Sequence, residues 1–320
     1  MAAVSKKLID RRSDYDVTNS VRTTDVSAVA AEVRNIYVDL FSKGGAAGLV
    51  QPFQDFEALY SGEYPGYRAC DTGYHDVQHV LDVTLAMARL LHGYKQAGTE
   101  PLNERLFRLG VVLALYHDCG YIRRRNDSRH KNGAEYTLTH VTRSGRFLRN
   151  YLPSIGMSDM ADLASRLVHF TGYETPVDSI RIDQPIHRVI GNLLGSADII
   201  AQMADRCYLE KCYDRLFPEF LLGGVARRKT SEGEQVIFES AADLIAKTPG
   251  FYQGAAKRLD QALEGAYRYA EPHFGGRNFY LESVEKNMNY ARVLKNTNTI
   301  SSLRRRPPRD ASGARQISLI

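Results

Sequence analysis

A histidine and an aspartate stand side by side at His117 and Asp118, where the apolar run from Phe107 to Tyr116 stops. A buried helix that ends on two ionisable side chains has to compensate them, because an unpaired carboxylate taken out of water costs several kcal/mol or shifts its pKa. A divalent cation would remove that cost and use both groups as ligands. A capping aspartate beside a core histidine is the plainer account of the pair taken alone. The placement of the chain's nine histidines favours the cation. His75 and His79 are four apart and share one side of a helix once it begins, with Asp82 three further on. His140, His169 and Asp198 each fall on or beside a different helical segment. Asp198 lies in the apolar stretch 193–201, where aspartate is both a poor helix former and a poor buried residue. Gln202 and Asp205 follow on the same face, so a polar stripe lining a cavity explains all three. A helical bundle could bring these side chains to one central point, as bundle-core metal sites do.

The elements that would position them are helical throughout. Helical periodicity covers 28–41, opened by Asp25 and closed by Gly44-Gly45, then 77–94, 103–117, 135–152 and 157–170. A long helix runs from Pro185 to about Leu216, and shorter ones cover 240–246, 252–270 and 281–294. Residues 49–71 read as loop and short helix, and 223–235 as a surface loop or lid. The expected organisation is a flexible N-terminal arm (1–24), one all-α domain of roughly ten helices (25–297) and a disordered basic tail (298–320). With 43% hydrophobic and 25% charged residues, the composition is that of an ordinary globular protein. Part of the net charge of +5 sits in Arg304-Arg305-Arg306-Pro307-Pro308-Arg309, which leaves little basic excess for coating nucleic acid. Four cysteines in a chain of 320 residues make no disulfide framework, which points to a reducing cytoplasm. The charged segment 1–16 lacks an export leader's apolar stretch, and no apolar run approaches the roughly 20 residues of a membrane span.

The order His79, His117-Asp118, Asp198 resembles the signature of the HD-domain superfamily of metal-dependent phosphohydrolases. More specifically, Tyr74-His75-Asp76-Val77-Gln78-His79-Val80-Leu81-Asp82-Val83 resembles the Tyr-His-Asn-x-x-His-Ala-x-Asp-Val motif of the class I cyclic-nucleotide phosphodiesterases. Weaker echoes are Ala197-Asp198, Glu219-Phe220 and Thr248-Pro249-Gly250-Phe251, so the resemblance covers residues 74–251. It implies a multi-helix bundle around a central metal site. His79, His117, Asp118 and Asp198 would hold a first cation, with Asp118 bridging to a second. His75 would be the general acid, and Asp82, Tyr121 and Gln202 would surround the ligands. Tyr74, Arg123, Thr248 and Phe251 would face the substrate, Phe251 stacking on a base. Three features depart from the phosphodiesterase pattern. Tyr121 replaces a histidine, and Thr248 replaces the purine-selecting glutamine with a side chain too short for the same bidentate contact. His140 and His169 extend the series to one similar to the six-ligand set of binuclear HD proteins, which include cyclic-dinucleotide phosphodiesterases and di-iron oxygenases.

The expected activity is therefore hydrolysis of a nucleotide phosphodiester, cyclic or small, with two divalent metal ions (Mn, Mg, Zn or Fe) as cofactors. A di-iron oxygenase on the same scaffold and a non-catalytic nucleotide-binding module are the alternatives. Arg123-Arg124-Arg125, Arg129 and Lys131 could hold a further phosphate or form a solvated loop, and Arg227-Arg228-Lys229 invites the same two readings. The expected partner is a small nucleotide or phosphoester substrate, with no membrane and no nucleic acid, and a homodimer is compatible with the chain.

Overall fold

The helix over Val77–Ala97 is the axis of the fold. From Gln78 to Tyr94 every residue except Asp82 is buried, so this helix is enclosed on all sides rather than lying on a surface. It begins where the Asp76 carboxylate accepts from the His79 N–H at 2.9 Å, and ends at Gly98, whose φ of 69° suits a glycine cap. In this computed structural model the described residues are 11–41, 43–98, 101–230 and 233–308. Their α-helices in chain order are α1 (Val26–Leu40), α2 (Val50–Ser61), α3 (Val77–Ala97), α4 (Glu104–Tyr116), α5 (His140–Tyr151), α6 (Ala161–Leu167), α7 (Pro185–Ala204), α8 (Tyr208–Lys211), α9 (Phe217–Leu222), α10 (Ala241–Lys257), α11 (Ala270–His273) and α12 (Phe279–Thr297). Helices α1, α4, α7 and α11 pack around α3, α12 lies behind α7, and α5 packs on α6. One apolar core runs from Val21 to Leu294. A Cβ on Gly93 would stand 1.7 Å from the Tyr269 carbonyl, so α3 presses its backbone against the segment that leads into α11. None of the described helices is long and apolar enough to cross a membrane.

The chain is all-α as expected, but several boundaries differ. Residues 50–61 form a full helix whose buried Pro52, Phe53, Phe56, Leu59 and Tyr60 do follow a helical period, disguised in the sequence by flanking glycine and proline. The expected long helix after Pro185 breaks at Asp205, which turns its carboxylate onto the Cys207 N–H and pairs with Lys211. The stretch read as a lid carries a hairpin, β1 (Arg227–Thr230) antiparallel to β2 (Gly233–Val236). Of the expected loose arm, residues 11–24 are held in place. Asp16 accepts from the Ser20 and Val21 N–H groups, both at 2.9 Å, and faces the fully buried Arg89 at 2.6 Å. Of the expected disordered tail, residues 298–308 are docked. Arg305 donates to Asn287 Oδ1 at 2.8 Å, and Arg215 donates to the Pro308 carbonyl at 2.5 Å. Residues 1–10 and 309–320 lie outside the described residues.

The Asp16–Arg89 pair makes stability depend on acid. Burial alone would raise the Asp16 carboxyl, but Arg89, the Thr18 hydroxyl and the Val21 N–H hold it down to about 2 from an ordinary 3.8. As pH falls from about 4 to about 2, the unfolded chain takes up a proton that the folded chain refuses. The stabilisation is therefore complete above the unfolded value and is lost through the folded one, about 2 kcal/mol in all. Urea unfolding at pH 5 and again near pH 2 should show the advantage of the wild-type chain over Asp16→Asn shrinking by about that amount. An advantage that does not change with pH would show that the pair makes no such contribution.

Candidate metal centre

Three segments of backbone converge next to the start of α3. His79 sits in its first turn, with its N–H tied to Asp76. His117 caps the C-terminus of α4, where its Nδ1–H donates to the Ala114 carbonyl at 2.8 Å. That bond keeps a proton on Nδ1 and makes Nε2 the nitrogen that would give up its proton to a cation, and Nε2 is buried with no hydrogen-bond partner. Asp118 follows, and Asp198 projects from the middle of α7.

The distances define one cluster. Asp118 Oδ2 stands 3.2 Å from His79 Nε2 and 3.2 Å from His117 Nε2, and Asp198 Oδ1 lies 3.6 and 3.8 Å from the same two nitrogens. One ligand atom from each of His79, His117 and Asp118 falls within 4.8 Å of the others, the separation expected around a single cation. Burial works against a charged His117, yet Asp118, with Asp198 behind it, holds the ring up to about 9. Burial likewise opposes the Asp118 anion, but His117 and His79 keep its carboxyl well below the ordinary range. Two imidazole and two carboxylate donors, one of the nitrogens buried and unpartnered, fit a borderline divalent cation such as Zn, Mn or Fe.

The other oxygen of Asp118 faces elsewhere, with Oδ1 3.5 Å from His140 Nε2. His140 also donates its Nδ1–H to a backbone carbonyl, that of Thr137 at 2.6 Å. Its position is set by Gly120, where a Cβ would stand 1.9 Å from the His140 carbonyl. The Gly120 N–H donates to Ser144 and its carbonyl accepts from Arg143, so the turn after His117-Asp118 is latched onto the first turns of α5.

His75 lies beside this cluster. Its Nδ1–H donates to Glu219 Oε2 at 2.5 Å, and the other oxygen of Glu219 accepts from the Tyr74 N–H at 2.5 Å. Burial disfavours the charged ring, but Glu219, then Asp118 and Asp198, hold His75 above the ordinary histidine value. Tyr121 stacks on both His75 and His140, each with ring centroids 4.3 Å apart.

The remaining residues read from the sequence fall as follows. Gln202 donates to Asp198 Oδ1 and accepts from the Tyr74 hydroxyl, both at 3.4 Å, which ties Tyr74 to the ligand helix. Burial together with Asp205 pushes Asp82 up to about 8, against the opposing pull of Lys211, Arg11 and the Thr23 hydroxyl. His169 stands outside the ligand cluster, donating through Nδ1 to Glu174 Oε1 at 3.1 Å. Arg123 spends its donors on Asp71 and the His130 carbonyl, and Arg125 on the Tyr67 and Gly62 carbonyls, so these two basic residues brace the 62–71 loop. Thr248 is buried with its hydroxyl on the Leu244 carbonyl. Phe251 is 51% exposed and faces the ring of Tyr173 at 6.4 Å. Glu219 was not among the site residues read from the sequence. Its signal was a carboxylate inside the apolar stretch 216–222, the same anomaly that singled out Asp198.

Comparison of the sequence with protein-family models and with curated proteins finds no match. Comparison of the fold with solved structures finds the crystal structure of the phosphodiesterase domain of the RhoPDE fusion protein from the choanoflagellate Salpingoeca rosetta. The TM-score is 0.52 at 12% sequence identity, over 90% of this chain and 96% of that one. At that identity the likeness establishes a shared fold: this chain has the all-helical architecture of a phosphodiesterase domain.

Proposed function

We propose that the chain is a metal-dependent phosphohydrolase that cleaves a phosphodiester of a nucleotide, cyclic or small. The observation that carries this reading is Asp118, whose two oxygens address two different sets of ligands, His79 and His117 on one side and His140 on the other. A carboxylate so placed suits a bridge between two cations, with Asp198 completing the first set and His140 and His169 assigned to the second. When bound, two such cations supply a water that is acidic near neutral pH and a positive field over the phosphoryl oxygens.

The side chains around them have separate tasks. Glu219 holds Nδ1 of His75, which leaves Nε2 to carry a proton toward the departing oxygen. Tyr121 fixes the plane of that ring by stacking on it. Gln202 steadies Asp198, and the hydrogen bonds to the Ala114 and Thr137 carbonyls hold Nε2 of His117 and of His140 toward the Asp118 carboxylate, so that a cation beside it would meet both nitrogens. Phe251 offers an exposed ring face to an aromatic base. The buried His75–Glu219 pair favours hydrolysis over oxygen chemistry on the same scaffold, because a proton donor beside the ligands has a task in breaking a phosphoester.

A turnover screen with added manganese tests the reading, using cyclic mononucleotides, cyclic dinucleotides and phosphomonoesters as substrates. The proposal expects release of a phosphomonoester product from at least one diester. Metal-loaded protein that turns over no member of the panel contradicts it.

A further inference from the structure

Of the six side chains assigned to cations, His169 is the one that the fold leaves apart from the cluster, and its loop is built with unusual care. The Nδ1–H of His169 donates to Glu174 Oε1 at 3.1 Å, which leaves Nε2 to another partner. For the carboxylate to fold back so far the chain needs Gly172, where a Cβ would stand 2.1 Å from Glu174 Oε2.

The loop is also gripped from outside. Arg258, in the π-helical turn Arg258–Ala262 that continues α10, donates through Nη2 to the Phe170 carbonyl at 2.7 Å and to the Gly172 carbonyl at 2.6 Å. Its guanidinium lies 4.2 Å over the ring of Tyr173. Two carbonyls and a ring from four consecutive residues converge on one side chain, which fixes the path of the turn between His169 and Glu174. On its inner side the turn rests on α7, since a Cβ on Gly195 would stand 2.5 Å from the Phe170 carbonyl. Gly195 lies one turn before Asp198.

We infer that residues 169–174 form a prebuilt ligand loop in which Glu174 orients the His169 ring and Arg258 fixes the loop backbone, making both positioning residues for the second cation. The inference rests on the two-cation reading above. A carboxylate on the far nitrogen of a metal-binding histidine sets its tautomer and raises its basicity, and removing such a support weakens metal affinity by about 10- to 100-fold. Arg258 is poorly replaced by lysine in this role, because one guanidinium nitrogen reaches both carbonyls while the plane of the group lies over the Tyr173 ring, and an ammonium has no such plane.

Manganese binding measured by calorimetry on the full chain and on His169→Ala, Glu174→Gln and Arg258→Lys tests this, with thermal midpoints recorded for each. The expected result is two affinity classes in the wild type. The weaker class should be lost in His169→Ala and weakened about tenfold or more in Glu174→Gln and Arg258→Lys, with the tighter class unchanged. If His169→Ala loses the weaker class while Glu174→Gln and Arg258→Lys keep wild-type constants, the positioning roles are wrong and the two-cation reading stands. A wild type with one class, or a His169→Ala variant that keeps both, overturns the two-cation reading and the inference with it. A tighter class weakened in step with a fallen thermal midpoint would show that Glu174 and Arg258 merely hold the fold, which also overturns the inference.

Discussion

Asp118→Ala protein is expected to fold, to lose both cations and to show no measurable hydrolysis, a fall of more than about a thousandfold. The size of the effect follows from geometry. Asp118 is the one ligand whose two oxygens reach both sets, with Oδ2 at 3.2 Å from His79 and His117 and Oδ1 at 3.5 Å from His140. Removing it takes one donor from each position at once and deletes the negative charge that makes a nest of imidazoles attractive to a cation. His117 then keeps only Asp198, at 3.8 Å, to balance a proton against burial, so its pKa falls toward that of a neutral core histidine still hydrogen-bonded to Ala114. Metal content and turnover, read together on a variant whose unfolding transition remains cooperative, check this. Retention of both cations and of more than a tenth of the activity would show that the carboxylate is not a bridge.

The second large effect belongs to a residue assigned no metal. His75→Asn is expected to lower kcat by about 10²- to 10⁴-fold with metal content unchanged and KM little altered, because proton donation to the leaving oxygen matters in the transition state and not in binding. Glu219→Gln should give a smaller loss in the same direction. Its amide can still accept from Tyr74 N–H or His75 Nδ1–H, but it no longer provides the buried charge that raises His75. A substrate with a good leaving group, which needs little protonation, should recover most of the lost rate in His75→Asn. If both variants lose metal together with activity, His75 acts as a ligand or a prop, and the proton-donor role is wrong.

Much of the site could be read from the sequence because burial makes ionisable residues conspicuous. Asp118 and Asp198 interrupt apolar helical stretches, and the four-residue spacing of His75 and His79 survives in space as adjacent rings 5.6 Å apart. What escaped has a common physical cause, since each missing feature is completed by a distant partner. Glu219 meets His75 across a separation of 144 residues, and Arg89 meets Asp16 across 73. A charged residue such as Asp16 looks like part of a loose polar arm until its partner is known. The hairpin of β1 and β2 was hidden because Arg227–Thr230 and Gly233–Val236 carry little of the apolar alternation that marks a strand. His169 shows the converse case. Its position in the sequence suggested a ligand, while its place in the fold, on a loop beside Glu174, is set by Arg258 and Gly172, which no local pattern announces.

Diffraction from crystals soaked in manganese, recorded where manganese scatters anomalously, tests the metal centre most directly. The account predicts an anomalous peak about 2 Å from His79 Nε2, His117 Nε2, Asp118 Oδ2 and Asp198 Oδ1, and a second on the Oδ1 side of Asp118 toward His140. Crystals that take up manganese elsewhere, with no peak between α3, α4 and α7, would contradict it.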